Sequence, residues 1–273
     1  MSELVSVTIE NHVAEVCLNR PEKMNALSWA MFEAITSAGR ELAGNRDVRV
    51  VVLHGAGDHF CAGLDLENFA DFTPGKDFFG PGRGGEWPNY YQAPAWVWRE
   101  LPVPVICALH GVAYGGGLQI ALGADIRIAH PACRLSVMEI KWGLIPDMSA
   151  SQTLRDLVRV DVAKELTFSG RVVEGAEALA LGLVTQLADE PLAAARAMAT
   201  AIAGRNPDAV SLGKYLLNET RSGDTGAGLQ AEENLQKRLL GSANQLEAVM
   251  ASLEKRAANF GERGFGSFNE LDN

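Results

Sequence analysis

Apolar and polar residues alternate from Val5 to Ile9 and again from Val13 to Leu18, with Glu10-Asn11-His12 between them. A period of two marks strands with one buried face, so this stretch predicts a β-hairpin. Arg20 to Asn25 reads as a loop. Ser28 reads as the N-cap of a helix in which Phe32, Ile35, Ala38 and Leu42 keep helical spacing until Gly44. The pattern changes in Val48–Leu53 and Val103–Leu109, which are apolar almost without interruption. Such runs suit strands covered on both faces, as in a parallel sheet flanked by helices. Further strands are predicted at Ile126–Ala129, Arg134–Val137 and Leu183–Leu187, with helices at Ser151–Arg159, Val162–Phe168 and Glu174–Leu181. From Glu190 onward the pattern is helical alone: Leu192–Ala203, Pro207–Asn218, Leu229–Leu240 and Leu246–Asn259. The organisation implied is an α/β core over residues 1–189 and an α-helical region over 190–273. The apolar faces of the late helices suit either a cover over the sheet or contact with another subunit. The glycine-rich tail after Phe260 reads as loose.

Two of the apolar strands run into glycine turns. Val48–Leu53 is followed by His54-Gly55, a short loop and Phe60-Cys61-Ala62-Gly63-Leu64-Asp65-Leu66. Val103–Leu109 is followed by His110-Gly111-Val112-Ala113-Tyr114-Gly115-Gly116-Gly117, and Leu118 to Leu122 then reads as the opening of a helix. A strand-to-helix junction presents free N–H groups and the positive end of a helix dipole, and glycines let a ligand atom approach the backbone closely. The second turn therefore suits a negative oxygen. Parallel pairing places both turns at the carboxyl ends of the strands, where ligands of α/β folds are expected. Between them, Asp71 to Pro94 is rich in Gly and Pro and carries Phe72, Phe78, Phe79, Trp87, Tyr90 and Tyr91. A connection of that length with aromatics beside a pocket predicts a lining for an apolar substrate.

With 273 residues, 47% of them hydrophobic, the chain is long enough to bury a sizeable core. No apolar run approaches the ~20 residues of a membrane span, and Met1-Ser2-Glu3-Leu4 lacks the features of a signal peptide, so a cytoplasmic protein with no membrane partner is expected. A net charge of −10 argues against nonspecific nucleic-acid binding, which needs clustered cations. Cys17, Cys61, Cys107 and Cys133 lie singly in apolar surroundings and read as buried reduced thiols; neither they nor the five histidines have metal-ligand spacing, so no metal is expected.

Five motifs in order carry a resemblance: Asn19-Arg20-Pro21-Glu22-Lys23-Met24-Asn25-Ala26-Leu27, Phe60 to Leu66, His110-Gly111 through Gly117, Ala124-Asp125-Ile126-Arg127, and Gly143-Leu144-Ile145-Pro146. Together they resemble the crotonase superfamily, the enoyl-CoA hydratases and isomerases, and Glu247–Phe260 is similar to that family's last helix. The resemblance implies a spiral of repeated ββα units with a C-terminal α-helical trimerisation region, assembled as a homotrimer or as a hexamer built from two trimers. It implies an acyl-CoA thioester as partner, with coenzyme A belonging to the substrate and no separate cofactor. By motif position the N–H groups of Leu64 and Gly116 would hold the thioester oxygen as its enolate forms, each worth ~3–4 kcal/mol in a water-poor site. Lys23, Met24 and Ala26 with Ala62, Gly63, Asp65 and Leu66 would hold the coenzyme, and Gly115 and Trp142 would complete the substrate contacts. Lys23, Lys255 and Arg256 are candidate phosphate partners.

The resemblance also marks two positions that commonly supply the acids of hydration. Glu139 occupies one; Gln119 occupies the other. Two carboxylates readily hold and activate a water molecule, whereas an amide positions water without exchanging a proton at neutral pH. Asp147 is a candidate second acid, since Glu139 to Asp147 resembles the dienoyl-CoA isomerase pattern of a Glu and an Asp eight residues later, although those isomerases typically carry an Asp where Gln119 stands. The alternative for Asp147 is a helix N-cap. Val137, Met138, Ile140 and Trp142 predict apolar surroundings that raise the Glu139 pKa. These residues favour an enzyme that shifts double bonds in fatty-acid or related acyl-CoA metabolism. The alternatives are a hydratase using Glu139 with water positioned by Gln119, and a noncatalytic acyl-CoA-binding protein.

Overall fold

The computed structural model describes residues 4–72 and 87–270; Phe78 and Phe79 of the aromatic segment lie outside the described residues. The chain opens with the hairpin β1 (Val5–Glu10) and β2 (Val13–Leu18), in which Val5 faces Leu18. Helix α1 (Trp29–Gly44) follows, and the Ser28 hydroxyl accepts from the Met31 amide as its cap. Then come β3 (Val50–Gly55), α2 (Ala93–Glu100), β4 (Val105–Leu109), β5 (Val112–Tyr114), α3 (Gly116–Gly123), β6 (Ile126–Ala129) and β7 (Arg134–Ser136). Next are α4 (Ala150–Leu157), α5 (Val160–Ser169), β8 (Val173–Glu174), α6 (Gly175–Leu181) and β9 (Gln186–Leu187). Four helices end the chain: α7 (Pro191–Ala203), α8 (Pro207–Thr220), α9 (Thr225–Leu239) and α10 (Ala243–Glu254).

Six strands form one sheet in the order β1-β2-β3-β4-β6-β9, parallel from β2 onward, and β5-β7-β8 form a second, smaller sheet. β3 and β4 are buried at every position, which explains their unbroken apolar sequence. Val51, Leu53, Val105, Cys107 and Leu109 join the large core that includes residues of α1, α2 and α3. The alternate residues Val50, Val52, Ile106, Ala108 and Ile128 meet Ala195, Ala199 and Ala203 of α7. Alanines four apart on one helical face let α7 lie close on the sheet, so this helix is a cover over the core. Helix α8 is fastened by Lys214, whose buried ammonium donates to Trp98 O (2.8 Å) and Val103 O (3.0 Å) and pairs with Asp125 (2.8 Å).

Three expectations need correction. The long connection ends in helix α2, because Ala95, Val97 and Trp98 have an apolar core to enter. The predicted strand Leu183–Leu187 is reduced to two residues, since Leu183 and Val184 pack into the core before pairing begins. The tail after Phe260 is tied down: Arg49 donates to Phe260 O (2.9 Å), buried Arg263 to Asn45 O (3.0 Å), and Phe265 packs with Leu212 and Leu235. Glycine content signalled backbone freedom but not these two arginine anchors. Among the described residues, no helix is long and apolar enough to cross a membrane.

Candidate active site

The two glycine turns meet. Phe60 donates its amide to His110 O (3.0 Å), Cys61 to Val112 O (3.0 Å), and Tyr114 returns one to Cys61 O (3.0 Å), so the segments run side by side as a parallel bridge between Cys61 and Ala113. On its other side the first turn bridges Leu27, through Leu27 N to Gly63 O (2.8 Å) and Asp65 N to Leu27 O (3.1 Å). A parallel bridge of this kind uses the neighbours of Leu64 and leaves its own N–H facing the other way. Gly63 has φ +92°, and a Cβ on it would stand 2.6 Å from Tyr114 O and 3.7 Å from Gly116 N. Only glycine permits that approach. Gly115, at φ +50°, gives its amide to Ser136 O (2.9 Å) and delivers Gly116 as the first residue of α3. Neither Leu64 N–H nor Gly116 N–H has an acceptor among the described residues. Two free donors beside each other, one at a helix N-terminus, suit an oxygen that gains negative charge. Met148 and Leu27 crowd the space over Gly116 and make its surroundings apolar.

Glu139 opens a short 3-10 turn, Glu139–Trp142, just after β7, and is 8% exposed. A Cβ on Gly115 would lie 3.3 Å from Glu139 Oε1, so the carboxylate borders the glycine turn. Gln119 Nε2 donates to Glu139 Oε1 at 2.6 Å, while Gln119 Oε1 accepts from the amides of Met148 (2.8 Å) and Ala150 (3.2 Å). Two N–H donors on one end leave the amide a single orientation, with NH2 toward the carboxylate. Glu139 Oε2 is buried with no hydrogen-bond partner. Burial pushes the Glu139 pKa up, the negative charge of Asp147 adds to that rise, and the Gln119 bond opposes it. Asp147 stands at the rim, open to solvent on one side, and desolvation by the protein on the other raises its pKa as well.

Two readings of these residues change. Asp147 does not cap α4: the N-cap position is Ser149 at φ +71°, which makes no side-chain cap bond, and Gln119 Oε1 takes the Ala150 amide instead. Ile140 and Trp142 do not surround Glu139, being 45% and 46% exposed; Lys141 lies over the Trp142 ring. The 3-10 turn points these side chains outward while Val137 faces the core.

Comparison with known proteins gives the family. Residues 8–263 match the family model described as enoyl-CoA hydratase/isomerase. The chain belongs to the enoyl-CoA hydratase/isomerase family. It is 32% identical to a probable enoyl-CoA hydratase of Mycobacterium bovis over 96% of this chain and 99% of that one. It is 31% identical to a peroxisomal Δ3,5-Δ2,4-dienoyl-CoA isomerase of Arabidopsis thaliana over 94% of this chain and 96% of that one. The crystal structure of a putative enoyl-CoA hydratase from Streptomyces coelicolor superimposes with a TM-score of 0.86 at 32% identity, covering 94% of both chains. Family membership implies an acyl-CoA substrate.

The segments Lys23–Ala26 and Ala62–Leu66, expected from the sequence to hold the coenzyme, are joined into one ledge beside the two free amides. Ala62 N donates to Met24 O (3.0 Å), Ala26 N to Lys23 O (3.0 Å), and exposed Met24 stands at φ +50°. Asp65 is buried, pairs with Arg20 and accepts from the Glu67 amide (3.1 Å), which lowers its pKa; Leu66 is exposed. Lys23 pairs with Glu67 at 3.1 Å on the surface. Arg256 is held by Glu247 (2.9 Å) and Glu254 (2.6 Å) at the end of α10, so its guanidinium is already engaged, and Lys255 beside it ends the helix at φ +54°. Sequence reasoning missed three organisers of the ledge. Arg20 joins Asp65 to Ala26 O (3.1 Å), buried Asn25 fastens the loop to Ala56 O (2.9 Å) and His59 O (2.8 Å), and Met148 covers Gly116. Arg20 and Asn25 lie within the first motif, which was their only signal.

Proposed function

We propose that this protein is a double-bond isomerase acting on enoyl- or dienoyl-CoA thioesters. The observation that carries the reading is the engagement of Gln119 at both ends: where a second hydratase carboxylate would stand, a neutral amide is held by Met148 N, Ala150 N and Glu139 Oε1. Water at this site would meet one buried carboxylate, whereas moving a double bond needs only the removal and return of protons. The thioester oxygen sits between the N–H groups of Leu64 and Gly116. Glu139, through its unpartnered Oε2, takes a proton from the carbon that becomes conjugated, and charge moves onto that oxygen as the enolate forms. A proton is then returned at the distant carbon of the shifted π system, by Asp147 in a two-acid route or by Glu139 itself in a one-acid route. The raised pKa of Glu139 and of Asp147, each pushed up by burial, is the direction that suits groups that must both hold and release a proton.

Hydration is the second reading, favoured by the names of most relatives. The second N–H of the Gln119 amide would then position a water for Glu139. The two are separated by incubating the purified protein with α,β-enoyl-, β,γ-enoyl- and conjugated dienoyl-CoA while following ultraviolet absorbance and product mass. Altered absorbance at unchanged mass supports the isomerase; gain of one water overturns it in favour of the hydratase; tight binding with no turnover of any thioester makes the chain a binding protein. The assembly expected is a homotrimer or a dimer of trimers, and Leu246, Val249, Met250 and Leu253 support it as an exposed apolar stripe along one face of α10.

A further inference from the structure

We infer that the chain carries a second binding site, apart from the active site, for a fatty carboxylate. The carboxyl-terminal ends of α3 and α4 and one side of α8 line an open pocket of about 580 Å³, a size suited to a small ligand. Gly116 opens α3, whereas Gly123 at its other end forms part of the cavity wall, roughly 10 Å further along the helix axis. The two sites therefore share helices and no residues.

The lining is divided in character. Leu122, Ile126, Leu157, Ile202 and Val210 make it apolar, while Arg99, Arg127, Arg205, Lys214 and Arg221 face only two carboxylates, Asp125 and Asp156. An excess of three positive charges stands out in a chain of net charge −10. Internal pairing engages all of these cations but Arg205. Lys214 directs its protons at Asp125 and two carbonyls, and Arg127 donates to Leu183 O and Ala124 O. Asp156 is shared between Arg99 (3.3 Å) and Arg221 (2.7 Å). The Arg205 guanidinium, exposed at the rim, has no acceptor among the described residues.

Gly213 adds an independent observation. It sits in the middle of α8, where alanine would favour the helix, and a Cβ there would meet nothing within 4 Å. The space beside this position is therefore open, with room for a ligand. A carboxylate beside Arg205 supplies the acceptor this guanidinium lacks, in the geometry its fork prefers. A hydrocarbon tail covers the apolar wall, which inorganic phosphate would leave wet.

Titration calorimetry of the full-length protein with decanoate tests this, in the presence of saturating acyl-CoA so that the active site is closed to it. Saturable binding of one decanoate per chain is expected, with decanol and inorganic phosphate at least tenfold weaker. Arg205→Glu, at an exposed position, weakens decanoate at least tenfold, and Gly213→Leu, which fills the cavity, removes binding while the melting profile stays native. Should Gly213→Leu unfold the chain, Arg205→Glu carries the test. Absence of binding, as when a neighbouring subunit fills the cavity, overturns the proposal. So do displacement of decanoate by acyl-CoA, equal affinity for decanol, or indifference to Arg205→Glu.

Discussion

Gln119→Met keeps the length of a buried side chain while removing both of its hydrogen-bonding ends, so it tests whether Gln119 sets the basicity of Glu139. On the donor side, Glu139 Oε1 loses a bond of 2.6 Å. A bond to a charged acceptor contributes ~1.5–3 kcal/mol and one to a neutral acceptor ~0.5–1.5 kcal/mol. Deleting the donor therefore costs ionised Glu139 about 1–1.5 kcal/mol more than protonated Glu139. Burial already raises this pKa and the Gln119 bond opposes it, so the variant's carboxyl rises further. Glu139 takes a proton only when ionised, and on the acid side of the rate profile its ionised fraction falls roughly five- to tenfold. On the acceptor side, the amides of Met148 and Ala150 lose their partner. Two unsatisfied buried donors cost about 2 kcal/mol or more and lower the melting temperature by roughly 4–8 °C. The assay is turnover of the best thioester across the acidic and neutral range, with calorimetric melting of the same preparations. The clamp is refuted by an acid limb that stays in place or moves to lower pH while the melting temperature is unchanged.

Glu139→Gln removes the proton carrier, and turnover is expected to vanish. The raised folded-state pKa means that ionised Glu139 destabilises the fold, a penalty absent below the ordinary glutamate range and present once pH passes the folded value. The variant should accordingly melt higher than the parent at mildly alkaline pH and equally in acid; a constant difference at both pH values speaks against the assignment. Gly63→Ala places a methyl 2.6 Å from Tyr114 O at φ +92° and forces the two donor turns apart. Losing one aligned donor costs ~2.7–4 kcal/mol, or about 10²–10³ in kcat, with a smaller change in KM; a kcat within a few-fold of the parent would show that Leu64 and Gly116 do not hold the oxygen. If the proposed trimer forms through α10, replacing Leu246 and Leu253 by Glu should convert it to monomers in light scattering, and an unaltered mass would refute that interface.

The larger elements were legible in the sequence because they depend on short-range periodicity. The hairpin Val5–Glu10/Val13–Leu18, the Ser28 cap, and the buried strands at Val50 and Val105 each show their pattern within a few residues. Helix α2 was hidden because Gly and Pro before it hide a helix that exists for the core it enters. The tail after Phe260 was misjudged because its order comes from Arg49, more than two hundred residues away in the chain.

At the site the division runs along the same line. Two glycine turns, Glu139 and the neutral residue at position 119 were written in the chain as motif and spacing, and with the family resemblance they pointed to the proposed backbone oxyanion site and one candidate carboxylate. What that carboxylate faces was decided by folding. Gln119 could orient substrate, hold water or pack structurally, and only its contacts with Met148, Ala150 and Glu139 show an amide fixed at both ends. Asp147 could cap a helix or carry a proton, and only the bond from Ala150 to Gln119 removes the first role. The physical reason is reach. Periodicity and backbone freedom act over a few residues, whereas side-chain orientation, desolvation and the meeting of Gly63 with Tyr114 and Gly116 arise from segments that touch only once the chain has folded.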